Sequence, residues 1–364
     1  MLQFLGMLAA IALTTLCWGA YGPVLHLAHP GRPEFADSLK SFICVGAAYF
    51  GIAIVVPLLL LARGGERGSW TTRGVIWSLF AGACGACGAL GVILALNAFG
   101  GKPIYVMPLI YGGAPIVNTL LTAFFNRAFD QLKAPFLAGL LLVVTGAVTV
   151  LVFRPTPAAA AAPVAAKDAD AKDAETMDVA AKDVDAETKP ADPPAAAAPV
   201  RGAERWLERL LAVALSLLAW GGYGPVLHRG QAAMGGSRLR PLLCIGVAYF
   251  LIAVLVPLAL LVPMGKAGGW HFTSTAWSTA AGCLGAVGAL GTILAFTLGG
   301  KPFTVMPVVF GCAPVINTLV TIALAHTPAG AVNPFFLAGM LVVGVGAATV
   351  LAFGPRGHAP AKPA

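Results

Sequence analysis

Hydrophobic residues are grouped along this chain into long runs that contain no Asp, Glu, Lys or Arg. Each run is close to the roughly 20 residues that an α-helix needs to cross the hydrocarbon core of a bilayer. The charged residues lie between the runs or at their edges, where loops meet water. The pattern predicts an all-α polytopic membrane protein with ten transmembrane helices, at residues 3–25, 41–61, 74–98, 103–125, 134–153, 210–227, 242–263, 272–298, 302–325 and 334–354.

The runs form two similar sets of five. "CWGAYGPVLH" (17–26) returns as "AWGGYGPVLH" (219–228), and "GGKPIYVMPLIYGGAPIVNTL" (100–120) returns as "GGKPFTVMPVVFGCAPVINTL" (299–319). An odd number of helices per repeat makes the second copy enter the membrane from the opposite side. The sequence therefore predicts two inverted five-helix repeats related by a pseudo-two-fold axis in the membrane plane. This arrangement is typical of secondary transporters, which bind solute at the repeat interface.

Two features bear on the number of helices. The short connections at 100–103 and 299–302 leave open one broken helix in each half in place of two. The first run is also compatible in length with a secretory signal peptide. Because the same run recurs inside the chain at 206–228, we expect the first helix to stay in the mature protein.

A segment of different composition separates the two sets. Residues 154–205 are rich in Ala, Pro, Asp and Lys and contain no aromatic residue. Such a segment has too little apolar surface to offset the entropy lost on ordering. We predict a disordered, net acidic linker between a first repeat (1–153) and a second repeat (206–355), with a short tail at 356–364. A partner-binding arm is the alternative interpretation of the linker.

Composition and charge support a membrane protein and give it an orientation. Hydrophobic residues make up 58% of the chain and charged residues only 10%, against about 25% charged in soluble domains. Cytoplasmic loops are enriched in Lys and Arg. Two cytoplasmic termini would put Arg63, Arg67, Arg73, Arg127, Lys133, Arg229, Arg238, Arg240, Lys301, Arg356 and Lys362 inside, and only Arg32, Lys40, Lys102 and Lys266 in the outside short loops. We therefore predict a multi-pass protein of the plasma (inner) membrane, and interpret the net charge of +8 as a topology signal, with no nucleic-acid partner.

Helices four and nine each carry a polar stripe with helical spacing. Each proline deletes a backbone N–H and frees a carbonyl one turn earlier, and such groups persist at membrane depth where they line a cavity or meet another helix. The stripe is thus a candidate cavity wall, with helix–helix packing as the alternative. Its members are Pro108, Tyr111, Gly112, Pro115, Asn118, Thr119 and Thr122, repeated as Pro307, Phe310, Gly311, Pro314, Asn317, Thr318 and Thr321.

Helices three and eight carry glycine every third residue over one stretch. Glycine lets backbones approach closely, which predicts tight packing and is compatible with a surface that slides. The glycines are Gly82, Gly85, Gly88 and Gly91, with copies at Gly282, Gly285, Gly288 and Gly291.

The repeated motif in helices one and six supplies aromatic candidates. Trp18, Tyr21, Trp220 and Tyr223 combine an apolar body with a polar group, next to Gly and Pro residues that favour a bend. In an inverted repeat the motif would occur once near each mouth of a central pathway. An aromatic belt at the membrane interface is the alternative.

One histidine and one lysine of the first half have copies in the second half, and these four residues are candidates for gating or coupling. His26 and His228 close the aromatic motif, and histidine changes charge near neutral pH. Lys102 and Lys301 precede a helix-starting proline and would attract an anionic solute. The alternatives are helix-end histidines among lipid headgroups and lysines that extend to phosphates.

The sequence offers no catalytic or metal-ligating constellation. No carboxylate lies within a predicted span, so a proton relay of Asp or Glu is missing. Cys84 and Cys87 correspond to Leu284 and Val287 in the second copy, which argues against a metal site. We predict that the protein is not an enzyme and uses no cofactor or metal.

Five plus five helices, the "WGAYGPVLH" motif and the Pro- and Asn-bearing fourth helix together resemble the drug/metabolite transporter superfamily. The EamA-like ten-helix branch, with its glucose/ribose porter-like relatives, is the most similar. The resemblance implies a fold of inverted repeats around a central cavity and carriage of a small metabolite. The pair of basic residues that usually follows the Trp-Gly motif in the sugar porters is absent, since Leu27 and Ala28 follow His26.

We predict a secondary transporter that moves a small polar metabolite, such as a sugar or an amino acid, by alternating access. The partners are this solute and membrane lipids, and a homodimer is compatible with the sequence. The substrate-binding candidates are Trp18, Tyr21, Tyr111, Pro115, Asn118, Trp220, Tyr223, Pro314 and Asn317. The alternative is a membrane sensor or scaffold that keeps the transporter fold without transport.

Overall fold

The structure is a computed structural model that describes residues 2–29, 33–64, 66–99, 103–153, 201–324 and 333–355. These residues form no strand, and ten of their helices are long and apolar enough to cross a membrane. The prediction of an all-α, multi-pass membrane protein is therefore confirmed. The helices are α1 (Leu2–His26), α2 (Phe35–Ala62), α3 (Thr72–Ala98), α4 (Pro103–Asn126), α5 (Ala134–Val152), α6 (Arg201–Ala233), α7 (Leu239–Leu261), α8 (Phe272–Thr297), α9 (Pro302–Leu324) and α10 (Pro334–Phe353).

The helix boundaries differ from the apolar runs where charged residues extend a helix. α6 begins at Arg201, although the run began at 210 and residues up to 205 were predicted as linker. Arg209 lies in this extension and donates to the Phe99 carbonyl at the end of α3, with Nη2–O 2.9 Å. Hydropathy excludes such charged turns although their backbone is helical. The rest of the predicted linker and the tail after 355 lie outside the described residues.

Two helices of the first half contain π-helical segments. α2 has one at Phe50–Val55, just before Pro57, and α3 ends in one at Leu94–Ala98. The corresponding helices α7 and α8 are α-helical throughout, although α7 holds the equivalent Pro257. The two halves, α1–α5 and α6–α10, therefore share a sequence pattern but differ in local geometry.

The two halves interlock through contacts that recur with the halves exchanged. α1 packs on α8 and α9, and α6 packs on α3 and α4, while α2 meets α7 and α5 meets α10. The Trp18 indole N–H donates to the Gly285 carbonyl at 3.2 Å, and the Trp220 indole N–H donates to the Gly85 carbonyl at 3.2 Å. Each half thus supplies the packing partner for the first helix of the other.

Glycines make this close approach possible, as the sequence predicted. A Cβ atom at Gly82 would lie 2.6 Å from the Ile245 carbonyl oxygen, and one at Gly282 would lie 2.7 Å from Val45 Cα. Both distances are shorter than real Cβ contacts, and both neighbours are backbone atoms that cannot turn aside. Tight packing of α3 and α8 against the opposite half is therefore confirmed.

The loops at each end of the bundle are joined by ion pairs across the two halves. At one end, Glu66 in the α2–α3 loop meets Arg238 and Arg240 at the start of α7. At the other end, Lys266 in the α7–α8 loop pairs with Glu34 before α2, with Nζ–Oε2 3.0 Å. We refer to these as the Glu66 end and the Lys266 end.

Candidate functional site

A cavity of about 100 Å³ lies where helices from both halves converge. Aromatic rings form most of its wall, and glycine and alanine leave the space between them. It is lined by Trp18, Tyr21, Tyr49, Gly85, Ala89, Tyr111, Trp220, Tyr223, Ile245, Tyr249, Gly285, Phe310 and Ala313. Most of these residues form corresponding pairs from the two halves, such as Trp18 with Trp220 and Gly85 with Gly285.

The rings of the cavity meet at steep angles. Trp18 and Tyr223 have centroids 5.7 Å apart and planes at 65°, and Tyr111 lies 6.3 Å from Phe310 at 67°. Edge-to-face pairs of this kind are favourable because a positive ring edge meets a negative ring face. The steep angles mean that neighbouring rings present both faces and edges around the cavity.

One ring pair joins the two halves in a different way. Tyr49 of α2 and Tyr249 of α7 stack with their centroids 3.9 Å apart and their planes at 1°. These residues hold corresponding positions in the repeat, so the contact pairs one residue with its own copy. Both are buried, at 5% and 6% exposure, and they form one wall of the cavity.

Glycine fixes the position of each tryptophan. A Cβ atom at Gly88 would overlap the Trp220 indole, and one at Gly288 would overlap the Trp18 indole. Together with the hydrogen bonds to the Gly85 and Gly285 carbonyls, this leaves each indole one position against the opposite half. The tryptophans are thus held rigidly, which is what a preorganised site requires.

The cavity brings together five of the nine predicted substrate-binding residues: Trp18, Tyr21, Tyr111, Trp220 and Tyr223. Sequence reasoning missed Tyr49, Tyr249 and Phe310. The two tyrosines were visible in "CVGAAYFGIAIVVP" and "CIGVAYFLIAVLVP", as the same polar group kept within two otherwise apolar runs. Phe310 was noted as the copy of Tyr111 but was not counted as a site residue.

The other four predicted residues do not line the cavity. Pro115 and Pro314 are buried in the helices α4 and α9. Asn118 is 0% exposed and its Nδ2 donates to the Pro302 carbonyl at 2.7 Å, which ties α4 to the first turn of α9. Asn317 is half-buried beside Gly22. The polar stripe is therefore part aromatic cavity wall, through Tyr111 and Phe310, and part helix-to-helix contact, through Asn118.

The predicted gating residues occupy unlike environments. His26 is exposed at the end of α1, whereas His228 is half-buried in α6 with its ring 5.3 Å from that of Phe296. Lys301 is exposed just before α9, and Lys102 lies outside the described residues. None of the three described residues lines the aromatic cavity. In the part of the chain that the structure describes, no three His, Cys, Asp or Glu side chains are grouped as metal ligands.

Corresponding residues near the two ends are buried to different extents. Tyr223, Val226 and Leu227 lead from the cavity toward the Glu66 end and are 4%, 1% and 0% exposed. Their counterparts Tyr21, Val24 and Leu25 lead toward the Lys266 end and are only half-buried.

The same difference holds on the neighbouring helices. Ile293 and Met306 are both 0% exposed near the Glu66 end. Their counterparts Ile93 and Met107 are half-buried near the Lys266 end. The bundle is therefore packed more tightly between the cavity and the Glu66 end.

A group of polar contacts lies at the tighter end. The Glu66 carboxylate accepts hydrogen bonds from Ser237 Oγ at 2.6 Å and from the backbone N–H groups of Arg238 and Leu239 at 2.7 and 3.0 Å. An anion at the first turn of α7 is also favoured by the helix dipole. We call Glu66, Ser237, Arg238, Leu239 and Arg240 the Glu66 cluster.

The protonation of Glu66 follows from these contacts. Burial raises the pKa of the Glu66 carboxyl, but the hydrogen bonds from Ser237, Leu239 and Arg238 outweigh it and hold the pKa below its ordinary value. The carboxylate is therefore charged at neutral pH.

The comparisons with known proteins support the fold. No protein-family model matches the sequence, and no curated protein matches it. Among solved structures, 13 chains match. One, described only as "Crystal structure of protein", has a TM-score of 0.58 and 18% sequence identity, and the match covers 95% of this chain and 98% of that one. A likeness at this level of identity shows a shared fold and carries no information about the solute.

Proposed function

We propose that the protein is a secondary transporter that carries a small solute through the aromatic cavity by alternating access. The observation that carries this proposal is the position of the cavity, whose wall is built from corresponding residues of both halves. A site shared in this way is expected where two inverted repeats meet. The contacts that recur with the halves exchanged support inverted repeats as the underlying architecture. Membership of the drug/metabolite transporter superfamily, in its EamA-like branch, is part of the same proposal.

The unequal packing of the two ends supports alternating access. If the halves exchanged their local conformations, the tightly packed Glu66 end would loosen and the Lys266 end would close. Both states would keep the cavity residues in place and differ only in which end excludes water. A transporter needs two such states of similar free energy.

We further propose that the Glu66 end faces the cytoplasm of the plasma membrane and that both termini are cytoplasmic. The excess of Lys and Arg in the short loops at that end supports this orientation. Reporter fusions after Gly64, Ala165 and Gly357 should report inside, outside and inside, respectively. An inside report after Ala165 would contradict both the orientation and the inverted repeats.

The transport proposal is tested in proteoliposomes that contain the full chain. We expect uptake of at least one of labelled glucose, alanine or choline down its gradient. Ala89 lines the cavity, so Ala89→Leu should fill it and abolish uptake while the protein still folds.

The matched control is Ala9→Leu, on the exposed surface of α1, which should transport normally. Equal uptake by both variants would show that solute does not pass through this cavity. Solute binding without uptake in the parent protein would favour the alternative, a sensor that keeps the fold.

A further inference from the structure

We infer that the cavity binds a compact organic cation whose charge lies on a methylated ammonium group. This inference rests on the transport function proposed above and names the solute class for the same cavity. It depends on four properties of the wall: its size, its ring faces, its lack of charged groups and the state of its polar groups.

The size of the cavity favours a small solute. Its volume of about 100 Å³ is of the same order as the roughly 150 Å³ apolar cavity that holds one benzene molecule. A disaccharide, a nucleoside or a peptide would not fit without a large rearrangement. A trimethylammonium group has fewer heavy atoms than benzene and is of the right size.

The rings supply the attraction that a cation needs. The face of an aromatic ring carries partial negative charge and attracts cations, most strongly for tryptophan. Because Tyr111 is tilted by 55° to Trp220 and by 67° to Phe310, a solute among these rings meets faces from more than one direction. Aromatic walls of this kind are a known means of recognising quaternary ammonium groups.

The lack of charged side chains in the wall, and the bonded state of its indole N–H groups, argue against other classes of solute. Among the described residues that line the cavity, none is Lys, Arg, His, Asp or Glu, so an anionic solute finds no opposite charge. Both indole N–H groups are already bonded to glycine carbonyls and are not available to a carboxylate. A primary ammonium would leave its N–H groups without a carboxylate partner, whereas a fully methylated one has no N–H group to satisfy.

Tyrosine hydroxyls are the polar groups that the wall offers to a substituent of the cation. Tyr21 and Tyr111 line the cavity and are only half-buried, so a hydroxyl on the solute can bond to theirs. A compact cation that bears one alcohol group therefore fits the wall better than a purely hydrocarbon one.

The proposed transport function favours a cation over a neutral apolar solute of the same shape. A small neutral apolar molecule crosses a bilayer unaided, whereas a permanent charge is too costly to move through hydrocarbon. A carrier with this wall is useful only for the charged member of such a pair.

The test compares choline with 3,3-dimethylbutan-1-ol, which has the same shape with carbon in place of the charged nitrogen. Binding to the purified full-length protein is measured by calorimetry and by quenching of tryptophan fluorescence. We expect choline to bind at least tenfold more tightly than the neutral alcohol. Equal or tighter binding of the alcohol would overturn the inference.

Substitutions in α4 then test whether the cation binds in this cavity. Tyr111→Phe keeps the ring face and should bind choline like the parent protein, whereas Tyr111→Leu removes the face and should weaken binding fivefold or more. Phe124→Leu is the control, because Phe124 lies on the same helix and is 66% exposed. If Tyr111→Leu and Phe124→Leu bind choline equally well, the cation does not bind among these rings.

The outcomes separate this inference from the transport proposal. Uptake of glucose or alanine without choline binding would refute the cation and leave the transporter. Choline binding that depends on Tyr111, without choline uptake into proteoliposomes, would support the cation site and refute transport.

Discussion

Replacing Glu66 by glutamine should loosen the end of the bundle that the Glu66 cluster closes. The Glu66 side chain is only 5% exposed and pairs with Arg238 and Arg240. It also accepts hydrogen bonds from Ser237 and from the backbone N–H of Leu239. Glutamine keeps the shape and one acceptor oxygen but removes the charge and the second acceptor. The α2–α3 loop would then be held less firmly to the start of α7.

The expected cost follows from the hydrogen bonds and ion pairs that glutamine cannot make. A hydrogen bond to a charged group contributes about 1.5–3 kcal/mol, while the Arg238 pair adds little because its side chain is 50% exposed. We expect the substitution to destabilise the closed end by about 2 kcal/mol. A change of this size raises the fraction of molecules open at that end by about 30-fold, at 1.4 kcal/mol per factor of ten.

Thiol labelling measures this opening. Val226 is 1% exposed near the Glu66 end, so a cysteine in its place should react only slowly with a maleimide. The reaction is measured on Val226→Cys in nanodiscs, and the labelling of the native cysteines in the parent protein is subtracted. Adding Glu66→Gln should speed this reaction by about the same 30-fold factor. Glu34→Gln is the matched control, because Glu34 is 71% exposed and pairs with Lys266 at the other end. An unchanged labelling rate with Glu66→Gln would refute the idea that the cluster closes this end.

The same residue predicts a pH dependence. Because the pKa of Glu66 is lowered in the folded protein, its contribution to stability is present above the ordinary Glu pKa and is lost as the pH falls through the lower, folded value. The parent protein should therefore melt above Glu66→Gln at neutral pH, and the difference should shrink in acid. A difference that is constant down to about pH 3, well below the ordinary Glu pKa of about 4.3, would contradict this reasoning.

Two further predictions concern packing. Gly88→Ala should destabilise the protein by about 2–4 kcal/mol, because the new Cβ overpacks the site and the Trp220 hydrogen bond is lost. Gly85→Ala should destabilise it far less, because its new Cβ lies an ordinary 3.4 Å from the Tyr249 ring. Unfolding in mixed micelles compares the two, and equal losses would show that Trp220 does not depend on Gly88. Asn118→Leu should lower the melting temperature and leave choline affinity unchanged in the protein that folds, because Asn118 bonds the Pro302 carbonyl outside the cavity. Loss of binding with a normal melting temperature would place Asn118 in the solute site.

Local sequence predicted the helices better than it predicted their geometry. Apolar runs located all ten helices because lipid imposes a length and a composition on each span. The π-helical segment at Phe50–Val55 had no signal, since the equivalent stretch of α7 has a similar sequence and stays α-helical. The two stretches differ mainly at Gly51, where α7 has Leu251, and an apolar pattern does not distinguish a π-helical turn from an α-helical one.

The lining of the aromatic cavity contains some of the residues that the sequence pointed to and not others. Trp18 and Trp220 were identified because an aromatic residue beside glycine, repeated in both halves, is unusual within a span. Asn118 was expected at the same cavity because it shares a helix face with Tyr111. The structure shows that one face of α4 reaches two places, with Tyr111 at the cavity and Asn118 at the start of α9. Spacing along one helix does not tell which neighbour each turn will meet.

The exchange of packing partners between the halves has a consequence for biosynthesis. The Trp18 indole bonds a carbonyl that lies 267 residues later in the chain. At about 5–20 residues per second, the ribosome needs roughly 13–53 s to supply that partner. During this time α1 stands in the bilayer without the glycine surface of α8, and the Trp18 indole N–H must find a temporary partner, whereas the Thr14 hydroxyl keeps its bond to the Ala10 carbonyl of the same helix. The first five helices are therefore not a finished folding unit, and the Trp18 contact forms only after the eighth helix has entered the membrane.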